Sequence, residues 1–333
     1  MQDVQYGGQA VIEGVMMRGR DKYAVAVRKP DNDIVVEERG IAPPGEKLFF
    51  LDWPFIRGIV SLFSSLIIGM KALSFSADVA LEEEGEEISL LEMAGVIIIS
   101  ITLAMVFFVA LPAGIIRLIQ YLGEYDTVIY NIFLNLIEGL IKIGVFLAYI
   151  YFISRMEDIK KVFRYHGAEH KVIYNYEANE PLNIENARKY TTLHPRCGTS
   201  FIFIVIMISI FFFSFFSLFG RPPFFQRVFF HLLLLPLVAG TSYELLKLAG
   251  KSEVSTLVRI LSIPGMWFQK LTTGEPDDSM LEVAIVALEA VLPPEEKSSA
   301  GKKNENSESG ERTGEEDQSI TTGEDKRGED IDV

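Results

Sequence analysis

The chain has 333 residues, of which 49% are hydrophobic, and carries a net charge of −14. A mean hydropathy of +0.25 is too apolar for an ordinary soluble domain, and long uncharged runs point to membrane helices. Half of the net charge belongs to residues 293–333, which hold 13 acidic and 6 basic residues and almost no large apolar ones. That tail is expected to be disordered, because it cannot bury enough surface to offset its ordering entropy. No basic patch supports nucleic-acid binding. The single cysteine, Cys197, excludes an internal disulfide and fits a reducing compartment.

Residues 1–50 read as a small β-rich unit. YAVAVRK (23–29) and IVVEER (34–39) are β-branched runs joined by the turn PDND, and QAVIEGVMMRG (9–19) reads as a third strand. The start of the chain has no basic flank followed by an apolar core, so no signal peptide is expected. In the stretch 54–77 only 13 residues separate Arg57 from Lys71, short of the roughly 20 that a full crossing needs. An interfacial or re-entrant helix is expected there, its two cations reaching the headgroups. An acidic link, LEEEGEE (81–87), follows.

Four transmembrane helices are expected next: 94–116, 127–154, 198–219 and about 225–248. The first two occupy 94–154 and the second two 198–248, around a polar segment, 155–197. Eight Lys and Arg residues lie in that segment, while the connections near 117–126 and 220–227 carry only Arg117, Arg221 and Arg227. The basic segment, and with it both termini, is therefore expected in the cytoplasm. Residues 252–292 read as amphipathic C-terminal helices. One covers 254–271 with Trp267 as an interface anchor, and a shorter one, 280–292, is apolar on most sides. The fold class is thus a mainly α integral membrane protein with a small N-terminal β-rich cytoplasmic unit.

Residues 156–176 have a helical pattern that puts His166 and His170 one turn apart on one face. Two imidazoles at that spacing can share a divalent transition metal, zinc foremost. Glu169 completes the order HxxEH, in which a glutamate serves as general base. Gly167 threatens the helix with a break, since glycine costs about 1 kcal/mol in a helix interior. A short helix, IENARKY, is expected after an Asn183 N-cap. His194 and Cys197, three apart in HPRCG, can chelate and supply the remaining ligands. Four protein ligands would make a structural site; three with an open position beside Glu169 would make a catalytic one. The plainer reading gives these histidines only capping or lipid-phosphate contacts. Ionisable residues at membrane depth form a second candidate site: Glu138 with Lys142, and His231 and Glu244 in the last span.

GGQAVIEGVMMRG (7–19), PFIRG (54–58), HGAEHK (166–171), HPRCGTSF (194–201) and the pair PLVAG and TSYE (236–244) look like the YqhQ-like family of bacterial membrane proteins. The resemblance covers roughly residues 5–275 and leaves the acidic tail outside. That family holds a domain of unknown function, often described as a predicted metal-dependent enzyme. It implies a bacterial cytoplasmic-membrane protein whose polar motifs, including Gln9, Glu13, Arg18 and Arg196, gather in one place. Gln9 and Glu13 are expected on one face of a strand. Three functions stay open. One is a metal-dependent hydrolase acting on a peptide, lipid or lipid-linked substrate, with Glu169 as base. The second is a non-enzymatic scaffold or assembly factor with a membrane-protein partner. The third is a transporter using Glu138, Lys142 and Glu244.

Overall fold

The computed structural model describes residues 6–41, 53, 56–81, 90–122, 127–194, 197–216, 224–249 and 256–294. The expected APPG stop (42–45), most of the acidic link, Arg196 and all of the tail beyond residue 294 lie outside these.

The N-terminal unit is a four-stranded antiparallel meander of β1 (Gly7–Val11), β2 (Gly14–Arg18), β3 (Lys22–Arg28) and β4 (Ile34–Gly40). The β3–β4 turn forms at PDND as its composition predicts: Lys29 N–H donates to the Asp33 carbonyl, and Asn32 takes φ 73°. The run 9–19 differs from expectation. It folds back at Ile12–Glu13, pairing Val11 with Gly14, with Glu13 at φ 48°. A Glu at positive φ is uncommon outside turns, and the reversal separates Gln9 from Glu13.

The sheet is buried on both faces. Val11, Met16, Tyr23, Val25 and Val27 pack on Ile68 and Ala72 of α1 (Ile56–Leu81). Val15, Met17, Ala24 and Ala26 face α5 (Glu157–Glu177) and α10 (Asp278–Val291). The run 280–292, apolar on most sides, therefore closes the sheet from a distant part of the sequence. Its N-cap is Asp277, whose carboxylate accepts from the Met280 N–H at 3.1 Å.

Helix α1 is continuous over 26 residues rather than re-entrant. Arg57, taken as one end of a short apolar run, forms a bidentate pair with Glu244 of α8 (Phe224–Ala249), with Nε to Oε1 at 2.6 Å. The first expected span becomes α2 (Leu90–Met105), a π segment (Val106–Ala110) and α3 (Leu111–Leu122). Pro112 has no N–H for the Phe108 carbonyl, which accounts for the widened turn. Then come α4 (Val128–Ile153), α5, α6 (Ile184–Arg188), α7 (Gly198–Phe216), α8 and α9 (Thr256–Thr272). Asn183 caps α6 as expected, accepting from the Asn186 N–H at 2.8 Å. Among the described residues three stretches are long and apolar enough to cross a membrane: Ile56–Ala80, Ala94–Leu122 and Ile129–Ile153. The apolar helical segments Phe201–Phe213 and Leu233–Leu245 are shorter. The protein is thus mostly helical with a small N-terminal sheet; among the described residues the first two of the four expected spans have the length, and α1, not expected to cross, has it too.

Candidate metal centre

Helix α5 presents one side to the sheet and α10 and places His166 and His170 at its border with α9, Thr192 and Cys197. Gly167 does not break it. A Cβ there would sit 2.0 Å from the Gly274 carbonyl oxygen, so glycine lets the segment after α9 lie directly on the helix. The Gly274 N–H donates to the Phe163 carbonyl at 2.8 Å.

That contact brings the Thr272 carbonyl to His166 Nδ1, 2.8 Å away. His170 Nδ1 lies 2.5 Å from the Thr192 carbonyl. Each carbonyl accepts from Nδ1–H, which fixes the tautomer and leaves both Nε2 lone pairs facing Cys197. His166 Nε2 is 3.1 Å from Cys197 Sγ, and the two rings are 4.4 Å apart. All three donor atoms lie within 4.8 Å of one another. Tetrahedral zinc with ordinary Zn–N and Zn–S lengths holds its donors roughly 3.3–3.6 Å apart, so the trio fits such an ion with small adjustments. Histidine ligands whose second nitrogen donates to a carbonyl are the usual support for a metal.

Glu169 is buried beside them. Its carboxylate accepts from the Gly8 N–H, while Oε2 has no hydrogen-bond partner among the described residues. Burial pushes this carboxyl above its ordinary value, opposed by His166, His194 and the Gly8 amide. A Cβ on Gly8 would meet the Met16 carbonyl oxygen at 2.4 Å and Glu169 Cδ at 3.1 Å, so the glycine admits the carboxylate to the strand. Glu169 lies outside the trio that converges within 4.8 Å, but its buried oxygen without a hydrogen-bond partner among the described residues, within the field of His166, fits a cation or its water nearby.

His194 stands apart from the trio. Its backbone is held at both ends by the buried Gln269, with N–H to Oε1 and Nε2–H to the carbonyl each 2.7 Å. Its ring lies 5.6 Å from that of His170 and 4.6 Å from Tyr174, with Nε2 3.6 Å from Glu177. Burial lowers its pKa to about 4, so at neutral pH it is uncharged and the Glu177 contact is not an ion pair. Burial likewise lowers His170.

The N-terminal motif residues divide between the two sheet faces. Glu13 accepts from Lys161 Nζ at 2.7 Å and from Tyr165 OH at 3.4 Å, on α5 one turn from the trio. Gln9 instead lies against Gly69 of α1, and Arg18 Nη1 donates to Ser65 at 3.1 Å, both on the opposite face. Glu244 is in the α1–α8 pair, and Glu138 and Lys142 pair at 3.1 Å within α4. Sequence reasoning missed Gly8, Gln269, Thr192 and Thr272. The last two act through backbone carbonyls, which leave no trace in residue type.

Fold and site together define a mostly helical protein with membrane-length helices and a His₂Cys cluster at the seam of its sheet. The chain belongs to the family described as "Protein of unknown function (DUF1385)", whose model matches residues 53–294. It is 35% identical over 300 residues to the "Uncharacterized protein YqhQ" of Bacillus subtilis (strain 168), covering 86% of this chain and 92% of that one. No solved structure matches it.

Proposed function

We propose that the protein is a metal-dependent hydrolase of the bacterial cytoplasmic membrane, with its site facing the cytoplasm at the bilayer surface. The carrying observation is Glu169 Oε2, buried and without a hydrogen-bond partner among the described residues, on the helix that brings His166 and His170 to Cys197. His166 and His170 offer Nε2, and Cys197 offers Sγ. A divalent transition metal, zinc foremost, would supply Lewis acidity toward water. His166, His170 and Cys197 would hold the ion, and Glu169, held from behind by the Gly8 amide, would be the group that takes a proton from water there. The substrate is a peptide, lipid or lipid-linked group reaching the interface. The packing of α1 on the sheet through Ile68, Ala72 and Ser76, whose hydroxyl accepts from the Ile12 N–H at 3.2 Å, supports α1 lying with the sheet at the surface. Both termini are then cytoplasmic.

The test is elemental analysis of detergent-purified protein kept free of chelators, beside a His166→Ala/His170→Ala variant. The reading expects a bound transition metal that the variant loses; metal-free protein that is folded refutes it. A second reading, a scaffold with a structural metal, is favoured by one observation: the donors and their carbonyl partners come from α5, α9 and the turn before α7, where sheet and helices join. Glu169→Gln separates the two. It keeps metal and fold in both, and abolishes hydrolysis of micellar ester, phosphodiester or peptide probes only if Glu169 moves a proton.

A further inference from the structure

Helix α4 carries a second polar feature that the metal centre does not use. Asn131, Asn135, Glu138 and Lys142 are spaced by four, three and four residues. At 100° per residue they fall within about a 60° arc, and they run roughly 16 Å along the axis. Asn131, Asn135 and Glu138 are buried at 6%, 7% and 3% exposure, on a helix otherwise apolar enough to cross a membrane. The stripe faces α7. Asn135 Nδ2 donates to the Phe213 carbonyl at 3.3 Å, Lys142 Nζ lies 5.5 Å from the Phe213 ring centre, and Gly139 between them meets Ile210.

The two ends differ. Asn131 is in the first turn of α4, where Ile129 is 81% exposed and the Thr127 hydroxyl accepts from the Tyr130 N–H. Beyond Lys142, three rings from separate segments close the seam. Phe146 stacks on Phe268 of α9 at 4.9 Å and meets Phe108 edge-on at 6.0 Å. Phe108 belongs to the π segment, a distortion common at functional sites. Amides alone would serve as helix-to-helix glue. An ion pair reached by a row of amides from one end and stopped by aromatics at the other has the form of a proton relay.

We propose that the α4–α7 seam is a proton path. Asn131 and Asn135 hold a file of water molecules that carries protons from the Thr127 end to the Glu138–Lys142 pair, and Phe108, Phe146 and Phe268 form its closed gate. A proton taken from hydronium neutralises the Glu138 carboxylate. Its release past the rings to water on the other side restores the pair, with only O–H bonds made and broken. The path shares with the hydrolase reading the assumption that α4 crosses the bilayer, and nothing else.

The test uses the full chain in phosphatidylethanolamine–phosphatidylglycerol vesicles, with a potassium diffusion potential and a trapped pH dye. Phe146→Ala should raise proton flux several-fold above wild type and above protein-free vesicles while trapped calcein is retained. Adding Glu138→Gln should return flux to the wild-type level. Elution profile and helix content check that each variant is folded. Three results overturn the path: Phe146→Ala flux no greater than that of empty vesicles, equal flux in the double variant, or calcein leakage. Repeating the assay after chelation keeps this outcome separate from that of the metal centre.

Discussion

Gly167→Ala tests whether the metal centre depends on the contact between α5 and the segment after α9. In an open helix the change would help by about 1 kcal/mol. Here the new Cβ would lie 2.0 Å from the Gly274 carbonyl oxygen and 3.1 Å from Thr192 Cγ2. The first neighbour is backbone and cannot swing away, so the segment must retreat by more than an ångström. Overpacking of this kind costs about 1–3 kcal/mol, and loss of the Gly274–Phe163 hydrogen bond adds about 1 kcal/mol. The clash outweighs the helix gain, for a net destabilisation of about 1–3 kcal/mol. The retreat also draws the Thr272 carbonyl from His166 Nδ1 and loosens Thr192, which supports His170. Loss of such a partner lowers metal affinity about 10- to 100-fold. Thermal unfolding in detergent and competitive metal titration read the two effects. Gly144→Ala in α4 is the control, because nothing lies within 4 Å of its new Cβ. If Gly167→Ala melts at or above wild type and binds metal equally well, the contact is not what orders the ligands.

Cys197→Ser should retain the fold but bind metal more weakly, and cobalt-loaded protein should lose the thiolate charge-transfer absorption that wild type shows. Gln269→Leu should cost about 1–3 kcal/mol for each of the two His194 backbone groups it strands, seen as a lower unfolding temperature. Asp277→Ala should remove the α10 cap at about 1 kcal/mol near neutral pH. The Asp277 carboxyl is pulled below its ordinary 3.8: burial raises it, but Ser279, the Met280 amide and Arg164 together outweigh that. Its stabilisation is therefore present above pH 3.8 and lost as pH falls through the lower folded value. The gap between wild type and variant should close in strong acid; a gap that persists there refutes the assignment.

Local signals were legible wherever one segment determines its own shape. The 3.6-residue period gave α5 and the shared face of His166 and His170, and Asn183 announced α6. What was lost depends on distant partners. Arg57 reads as the end of a short apolar run only until Glu244, 187 residues on, pairs with it. The Ile12–Glu13 reversal is marked only by Gly14 at its end, since its two central residues are not turn formers, and the Glu13 carboxylate meets its partners on α5, far along the chain. Burial of the sheet's second face was unreadable for the same reason, since α10 arrives from the other end of the sequence.

The candidate site follows the same rule more sharply. Spacing put His166 and His170 first and left His194 and Cys197 as alternatives to complete the shell, with no way to choose between them. The ranking comes from the C-terminal end of α9, a stretch whose pattern predicted only an amphipathic surface helix. Gln269 grips the His194 backbone at both ends and thereby fixes the turn that brings Cys197 to the two imidazoles. Three residues on, Thr272 orients His166, and Gly274 beds the chain against Gly167. A glutamine, a threonine and a glycine thus decide which imidazoles face the thiol. The HGAEHK motif supplies donors, but α9 selects among them. Changes at 269–274 should therefore alter metal binding without touching any ligand.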